Sequence, residues 1–238
     1  MNFLDLTLST PEENLALDEA LLLAAEADGA AEYLRVWESP QYFVVLGKNC
    51  RIAHDVWVEN CQLDGVPVLR RISGGGTVLL GPACLNYTLV LRLDHSPELR
   101  AVSASFDYIL DCAFQTVRAT HESVARAGQS DLVLSGRKFC GNAQRRQRTH
   151  VLHHGSILYA FHLEKIPRYL KEPSRQPDYR GRRSHLEFLA NLAVAPEQLR
   201  VGFRSAWNAT SDAKSVPHEV IKKLVGERYG QREWIFRR

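Results

Sequence analysis

"RRISGGGTVLL", residues 70–80, sets two arginines and three consecutive glycines between the apolar stretches "VPVL" and "VLL". The flanks are rich in Val and Leu and read as strands. Glycine loses more backbone entropy on ordering than any other residue. Three of them held still between strands therefore imply either a tight turn or a close approach of main chain to a ligand. Both readings stand at this stretch. In the second, consecutive N–H groups converge on an anion while Arg70 and Arg71 offer forked donors to phosphate or carboxylate. The spacing is neither GxxxxGK[ST] nor a dinucleotide fingerprint, which excludes a Walker A loop and a Rossmann turn.

The surrounding chain has 238 residues, 45% hydrophobic and 24% charged, enough to bury a sizeable core. Its 30 basic and 27 acidic residues leave a formal net charge of +3. That balance argues against general nucleic-acid binding, and no nucleic-acid partner is expected. No apolar run approaches the ~18 residues of a membrane span. The N-terminus "MNFLDLTLSTPEENLALDEALLL" carries Asp5 where a signal peptide has a basic flank. The expectation is a cytoplasmic protein with no membrane partner. Cys50, Cys61, Cys84, Cys112 and Cys140 are odd in number and lack CxxC spacing. They point to neither a disulfide framework nor a zinc site, and are expected reduced and mostly buried, with no protein-held metal.

"STPEENLALDEALLLAAEA" predicts a helix, with Ser9 or Thr10 as N-cap and Pro11 at the first helical position. "EYLRVWE", "YFVVLG", "VPVLRRI", "TVLLG" and "LNYTLVLRL" predict short strands of one sheet. "SASFDYILDCAFQTVRATH" returns to helical periodicity. "SDLVLSGRKFCGNAQRR" reads as a hairpin turning at Ser135-Gly136, and "VLHHGSILYAF" as a further strand. "LEKIPRYLK", "RRSHLEFLA", "APEQLRVGFRSAWNA" and "VPHEVIKKLVGERY" predict a helical last third that ends in the strand-like "EWIFRR". Runs of strands and helices without strict alternation indicate an α+β fold with a mixed, mostly antiparallel sheet flanked by helices.

Two further stretches carry glycines beside basic residues. In "SDLVLSGRKFCGNAQRR", Lys138 lies between Gly136 and Gly141 on a hairpin, where its ammonium is either solvated or held at a backbone-lined anion site. In "HHGSIL", residues 153–158, His-His-Gly interrupts a strand. A lone histidine there would be structural. Three glycine-bearing segments on strands of one sheet favour a shared anion pocket over three unrelated turns.

At these residues the chain resembles the lipoate–protein ligase family, within the superfamily of biotin–protein ligases and octanoyltransferases. "RRISGGGTV" followed by "GPACLNYTLVL", then "SDLVLSGRKFCGNAQRR" and "HHGSIL" stand in family order, with weaker matches at "NLALDEALL", "VVLGKN" and "REWIF". The resemblance implies a single ligase catalytic domain over residues 1–238, without the additional small C-terminal domain that follows this last strand in well-known bacterial ligases. It implies a reaction in which lipoate attacks the α-phosphate of ATP, magnesium accompanying the nucleotide. The lysine of a lipoyl carrier domain then displaces AMP. A separate small accessory protein stands in for the missing domain in some members.

Carried onto this sequence, the resemblance implies that Arg71, Gly76, Thr77, Val78 and Leu79 contact ATP or lipoyl-AMP, with Gly74 and Gly75 shaping the loop. Lys138 is the expected catalytic residue, bridging carboxylate, developing acyl phosphate and departing AMP. Arg70, Asn86, Asp131, Gly141, His154 and Gly155 complete the expected substrate-binding set, His154 either touching ligand or orienting its strand. Val78, Leu79 and the strand near Leu85 are expected to line the acyl slot. The basic residues Lys171, Arg175, Arg180, Arg182 and Arg183 of "KEPSRQPDYRGRRSHLEFL" either dock the carrier or belong to a solvated loop, with Ser184 as N-cap.

Cys140 raises a rival reading, an acyltransferase that passes octanoyl or lipoyl groups between carriers through a thioester. The nucleophile of the most similar relatives is expected upstream of the hairpin, where "THESVARAGQSDL" has no cysteine. Cys140 is then either a thiol activated by Lys138 or a small packing residue between Phe139 and Gly141. The GRGRxGR loop of biotin ligases is absent. A non-catalytic binder of lipoylated or nucleotide ligands is a third class.

Overall fold

Thr10 starts the first helix, α1 (Pro11–Asp28). Its hydroxyl accepts from the Glu13 N–H while the Glu13 carboxylate accepts from the Thr10 N–H, a closed capping box with Pro11 in the first turn. The computed structural model describes residues 1–118 and 121–237. Its strands in chain order are β1 (Asn2–Asp5), β2 (Tyr33–Trp37), β3 (Phe43–Leu46), β4 (Val68–Arg70), β5 (Val78–Leu80), β6 (Cys84–Arg92), β7 (Val124–Ala127), β8 (Asp131–Leu134), β9 (Arg137–Arg146), β10 (His150–Leu158) and β11 (Ser211–Asp212). The remaining α-helices are α2 (Ile52–Asp55), α3 (Val58–Leu63), α4 (Val102–Arg118), α5 (Lys165–Tyr169), α6 (His185–Phe188), α7 (Pro196–Ala206), α8 (His218–Leu224) and α9 (Arg232–Ile235). The helix expected to run to residue 121 is α4, and positions 119–120 of that expectation lie outside the described residues, as does position 238.

The strands form two sheets rather than the one expected. Eight of them run in the order β11-β1-β2-β6-β10-β9-β8-β7, and β4-β3-β5 form a separate three-stranded sheet. In the large sheet β1 is parallel to β11 and β2, and every other pair is antiparallel. Hydrophobic runs specify strands but not their partners, since a period of two says nothing about which edge lies alongside. The β8–β9 hairpin turns at Ser135-Gly136, as the sequence predicts, with φ of 50° and 75°, the backbone a two-residue hairpin requires.

Alternation along β6 divides the molecule into two cores. Cys84 and Val90 belong to the core of α1, the small sheet and the C-terminal helices, whereas Leu85, Tyr87, Leu89 and Leu91 pack with α4 and α7. The α1 side opens into the cavity described below. Among the described residues no helix is long and apolar enough to cross a membrane.

"EWIFRR", expected to be strand-like, instead contributes to α9, and a buried side chain takes carbonyls at its end. Arg70, 1% exposed, donates through Nε and Nη2 to the carbonyls of Trp234, Ile235 and Arg237, and through Nη1 to those of Gly47, Lys48 and Cys50. The Trp234 indole N–H donates back to the Arg70 carbonyl at 2.9 Å. One guanidinium thus fastens the C-terminal segment to the loop after β3. Arg70→Met should lower stability by about 3 kcal/mol, since several buried carbonyls lose their donor together. Urea denaturation of the two proteins measures the difference.

Candidate functional site

Between the α1 face of the large sheet, β5 with the glycine loop before it, and the strap of residues 171–189 lies a cavity of about 1050 Å³. Its wall combines apolar side chains, among them Leu15, Trp37, Leu79, Leu80, Leu158 and Ile166, with the polar Arg71, Lys138, Asp131 and Asn86. Trp37 Nε1 and Thr88 Oγ1, both on wall residues, are buried with no hydrogen-bond partner.

The glycine loop is wrapped around Arg71. Its Nη2 donates to the carbonyls of Gly74 (2.5 Å) and Gly76 (2.8 Å), and its Nε donates to Ser73 Oγ (3.0 Å). Arg71 forms no ion pair among the described residues, and burial pushes its pKa down to about 10, so it stays charged at neutral pH. Gly75 takes φ of 80°, and a Cβ there would lie 2.9 Å from Arg71 Nη2. Only glycine supplies both the left-handed backbone and the room.

A network behind the loop ties it to α1. His154 Nε2 lies 2.6 Å from Ser73 Oγ, and its Nδ1 lies 3.2 Å from Asp18 Oδ2. The other oxygen of Asp18 accepts from Arg35 Nη1 at 2.7 Å, and Arg35 also donates to Asn14 and to the Leu6 carbonyl. Burial acts to raise the Asp18 carboxyl. The hydrogen bond from His154 and the charge of Arg35 outweigh it and hold the group below the ordinary carboxylate range.

A β-bulge puts Lys138 in the cavity. In a regular strand Lys138 and Cys140, two residues apart, share a face. Here the register shifts at Leu132/Val133, with Leu132 opposite Cys140 and Val133 opposite Lys138. The extra residue turns Lys138 onto the Gly141 face. A Cβ on Gly141 would lie 2.6 Å from Lys138 Nζ. Asp131, paired with Gly141 across the hairpin, holds the ammonium at 2.8 Å. Cys140 stays in the core, 1% exposed, its thiol pushed up to about 12 chiefly by burial.

The structure brings Arg71, Gly75, Gly76, Thr77, Val78, Leu79, Asn86, Asp131, Lys138, Gly141, His154 and Gly155 to the cavity wall. Gly74 shapes the loop through its carbonyl. Arg70 is not among the wall residues, because its donors are committed to the C-terminal clamp. Leu85 faces the α4 core, not the acyl slot. Asn86 spends its amide on the Cys84 and Trp37 carbonyls and accepts from Ser156. Gly155 lines the cavity where a Cβ would run into Asn142 and Tyr87.

Ser184 is the expected N-cap, with Glu187 completing its box. The basic stretch before it differs from an exposed docking loop. Arg180 is buried, pairing with Glu172 and stacking over Phe188, and Lys171 donates to the Ala53 carbonyl. Only Arg175 and Arg182 of the five are exposed.

Sequence reasoning missed Asp18, Trp37, Asp55 and Tyr179. Asp18 had a signal: a carboxylate inside the apolar run of α1 needs a buried partner. Asp55 accepts from the Thr77 hydroxyl at 2.6 Å, and Tyr179 donates to Asp131. Both contacts join segments far apart in sequence, and nothing local announced them.

Comparison with known proteins places this geometry. The family model described as the lipoyl protein ligase A/B catalytic domain matches residues 10–201. The chain is 25% identical over 248 residues to the lipoate-protein ligase LplJ of Bacillus subtilis, covering 97% of this chain and 72% of that protein. It is 28% identical over 264 residues to the octanoyltransferase LipM of Carboxydothermus hydrogenoformans, covering 99% and 98%. Among solved structures, the bipartite lipoate protein ligase of an archaeal lipoylation system from Thermoplasma acidophilum superposes with a TM-score of 0.84 at 20% identity, covering 99% of this chain and 95% of that one. A lipoate-protein ligase A bound with ATP superposes with a TM-score of 0.82 at 19% identity, covering 99% and 98%. These two likenesses establish the fold, the α+β catalytic architecture expected from the sequence.

The Asp18 network makes a direct prediction. Asp18→Asn leaves Arg35 buried without its counter-charge and should cost about 3 kcal/mol at pH 7. Because the native carboxyl titrates below its unfolded value, the pair's contribution is complete above about pH 4. It is lost as the pH falls through the depressed native value. Urea midpoints of wild type and variant should therefore differ at neutral pH and converge in acid.

Proposed function

The chain belongs to the lipoyl protein ligase A/B catalytic domain family, and from that premise we propose that it is an ATP-dependent lipoate–protein ligase. The observation that carries the reading is the chemistry of the cavity wall: Arg71 and Lys138, among other cations, line a space whose cysteines are held as thiols. Cys50 and Cys84 line the cavity, and burial raises both. Cys140, the residue that raised the thioester alternative, lies in the core.

In the proposed first step a lipoate carboxylate oxygen attacks the α-phosphorus of ATP, and the bond to pyrophosphate breaks. Two anions must approach. Lys138 and the glycine amides supply positive charge at the reacting atoms, and Arg71 keeps the loop folded so that those amides are preorganised. In the second step the amine of a carrier lysine attacks the acyl carbon, an amide forms, and AMP leaves with the bonding electron pair. The apolar wall residues Trp37, Leu79 and Leu158 suit the acyl chain. An ATP-bound ligase of this fold and an archaeal ligase studied with its E2 lipoyl domain support nucleotide and carrier as the ligand classes.

Magnesium is proposed to enter on the nucleotide. Among the described residues no three His, Cys, Asp or Glu side chains converge to hold a metal, and magnesium commonly binds through substrate phosphates with few protein ligands. Asp55 is a cavity-wall carboxylate that would face its water shell.

The second reading, an octanoyltransferase, is favoured by the full-length match to LipM. Mass spectrometry of a lipoyl carrier incubated with protein, lipoate and magnesium, with and without ATP, separates the two. The expected result is carrier lipoylation only with ATP, reduced about 10²–10³-fold by Lys138→Ala and largely kept by Cys140→Ser. Transfer from an octanoylated donor carrier without ATP, with a thioester trapped on a cysteine, would establish the transferase instead.

A further inference from the structure

Tyr179 donates its hydroxyl to Asp131 Oδ2 at 2.6 Å, while Lys138 Nζ stands 2.8 Å from the other oxygen, Oδ1. We propose that Tyr179 is a positioning residue: by occupying Oδ2 it confines the Lys138 ammonium to Oδ1, beside Gly141 and facing the cavity. The proposal rests on the ligase reading for the step that Lys138 serves, though not for the geometry itself.

Lysine is a point charge on a flexible four-carbon stem, without the fixed fork of arginine. Where its ammonium stands on a carboxylate depends on what else that carboxylate binds. A carboxylate with both oxygens open lets the ammonium bridge them or swing between them. With Oδ2 taken by a neutral donor, one place remains. Burial and the Asp131 charge both raise the Tyr179 hydroxyl, so it remains a donor throughout the working range.

The hydroxyl is itself held by contacts that do not involve Asp131. The ring packs beneath Gly128, where a Cβ would lie 3.3 Å from Tyr179 Cε1, and stands 5.3 Å from Phe188. Arg183 donates to the Tyr179 carbonyl and to the carbonyl of Gly136 in the hairpin turn, so the strap is tied to the hairpin that carries Lys138. Past α6 the Ala190 N–H donates to the Lys138 carbonyl at 2.9 Å. The strap and the residue that follows it therefore fix Lys138 twice, at its main chain through Ala190 and at its ammonium through Tyr179 and Asp131.

Tyr179→Phe keeps the ring contacts and removes only the donor. Its kcat for lipoyl-AMP formation should fall about tenfold while KM for ATP and for lipoate stays within a factor of about two, the pattern of an interaction realised in the transition state. The melting temperature should be unchanged. Added to Asp131→Asn, the substitution should have little further effect, because it acts through that carboxylate. Crystal structures of wild type and Tyr179→Phe should show Nζ displaced from Gly141 to bridge both Asp131 oxygens. An unchanged kcat, full additivity with Asp131→Asn, or an unmoved Nζ overturns the proposal. If the wild type forms no lipoyl adenylate, the ligase reading falls, and the two crystal structures alone decide the positioning role.

Discussion

A guanidinium buried without a carboxylate must find its acceptors on carbonyl oxygens, and Arg71 finds them on the loop that follows it. With Gly74 and Gly76 carbonyls turned inward onto the charge, the loop's shape is set from inside. Gly75 is left with a backbone that no side chain would tolerate in that space. Through Ser73 and His154 the same loop is joined to Asp18 on α1, and from there to Arg35 on β2. The position of the glycine loop relative to the large sheet is therefore decided by a run of buried, mutually satisfied polar groups. Such a network is stable only when every member is present.

Arg70, adjacent in sequence, solves the same physical problem in the other direction. It points away from the cavity and collects carbonyls from the C-terminal segment and from the loop after β3. Successive residues of a strand face opposite sides. Two neighbouring arginines thus serve two structures, one holding the cavity loop and one holding the chain end.

The bulge in the β8–β9 hairpin has a comparable consequence for reactivity. It separates Lys138 from Cys140, placing one against Asp131 in the cavity and the other in an apolar core where a thiolate is disfavoured. Sequence proximity of a lysine and a cysteine suggests an activated nucleophile. The register shift removes that partnership, since the two side chains face different layers.

The α+β class, α1 with its Thr10 cap, the Ser135-Gly136 turn and the three glycine-bearing segments were legible in the sequence, because helix caps, two-residue turns and hydrophobic periodicity are local signals. Part of the cavity wall was legible too, through glycines that local structure alone did not demand, whereas Asp18, Trp37 and Asp55 on the same wall were not. The division into two sheets, α9 in place of a strand, the inward turn of Arg180 and the split fates of Arg70 and Arg71 were not. Each depends on which distant segment offers a partner: carbonyls of residues 234–237 for Arg70, Glu172 and Phe188 for Arg180, and Asp131 for Tyr179. The sequence by itself determined which residues carry charge, nucleophilicity and backbone freedom, and the rough order of elements that present them. Only the tertiary structure decided which of those groups meet, because a one-residue shift in strand register reverses the face of a side chain and hence its partner, its burial and its acidity.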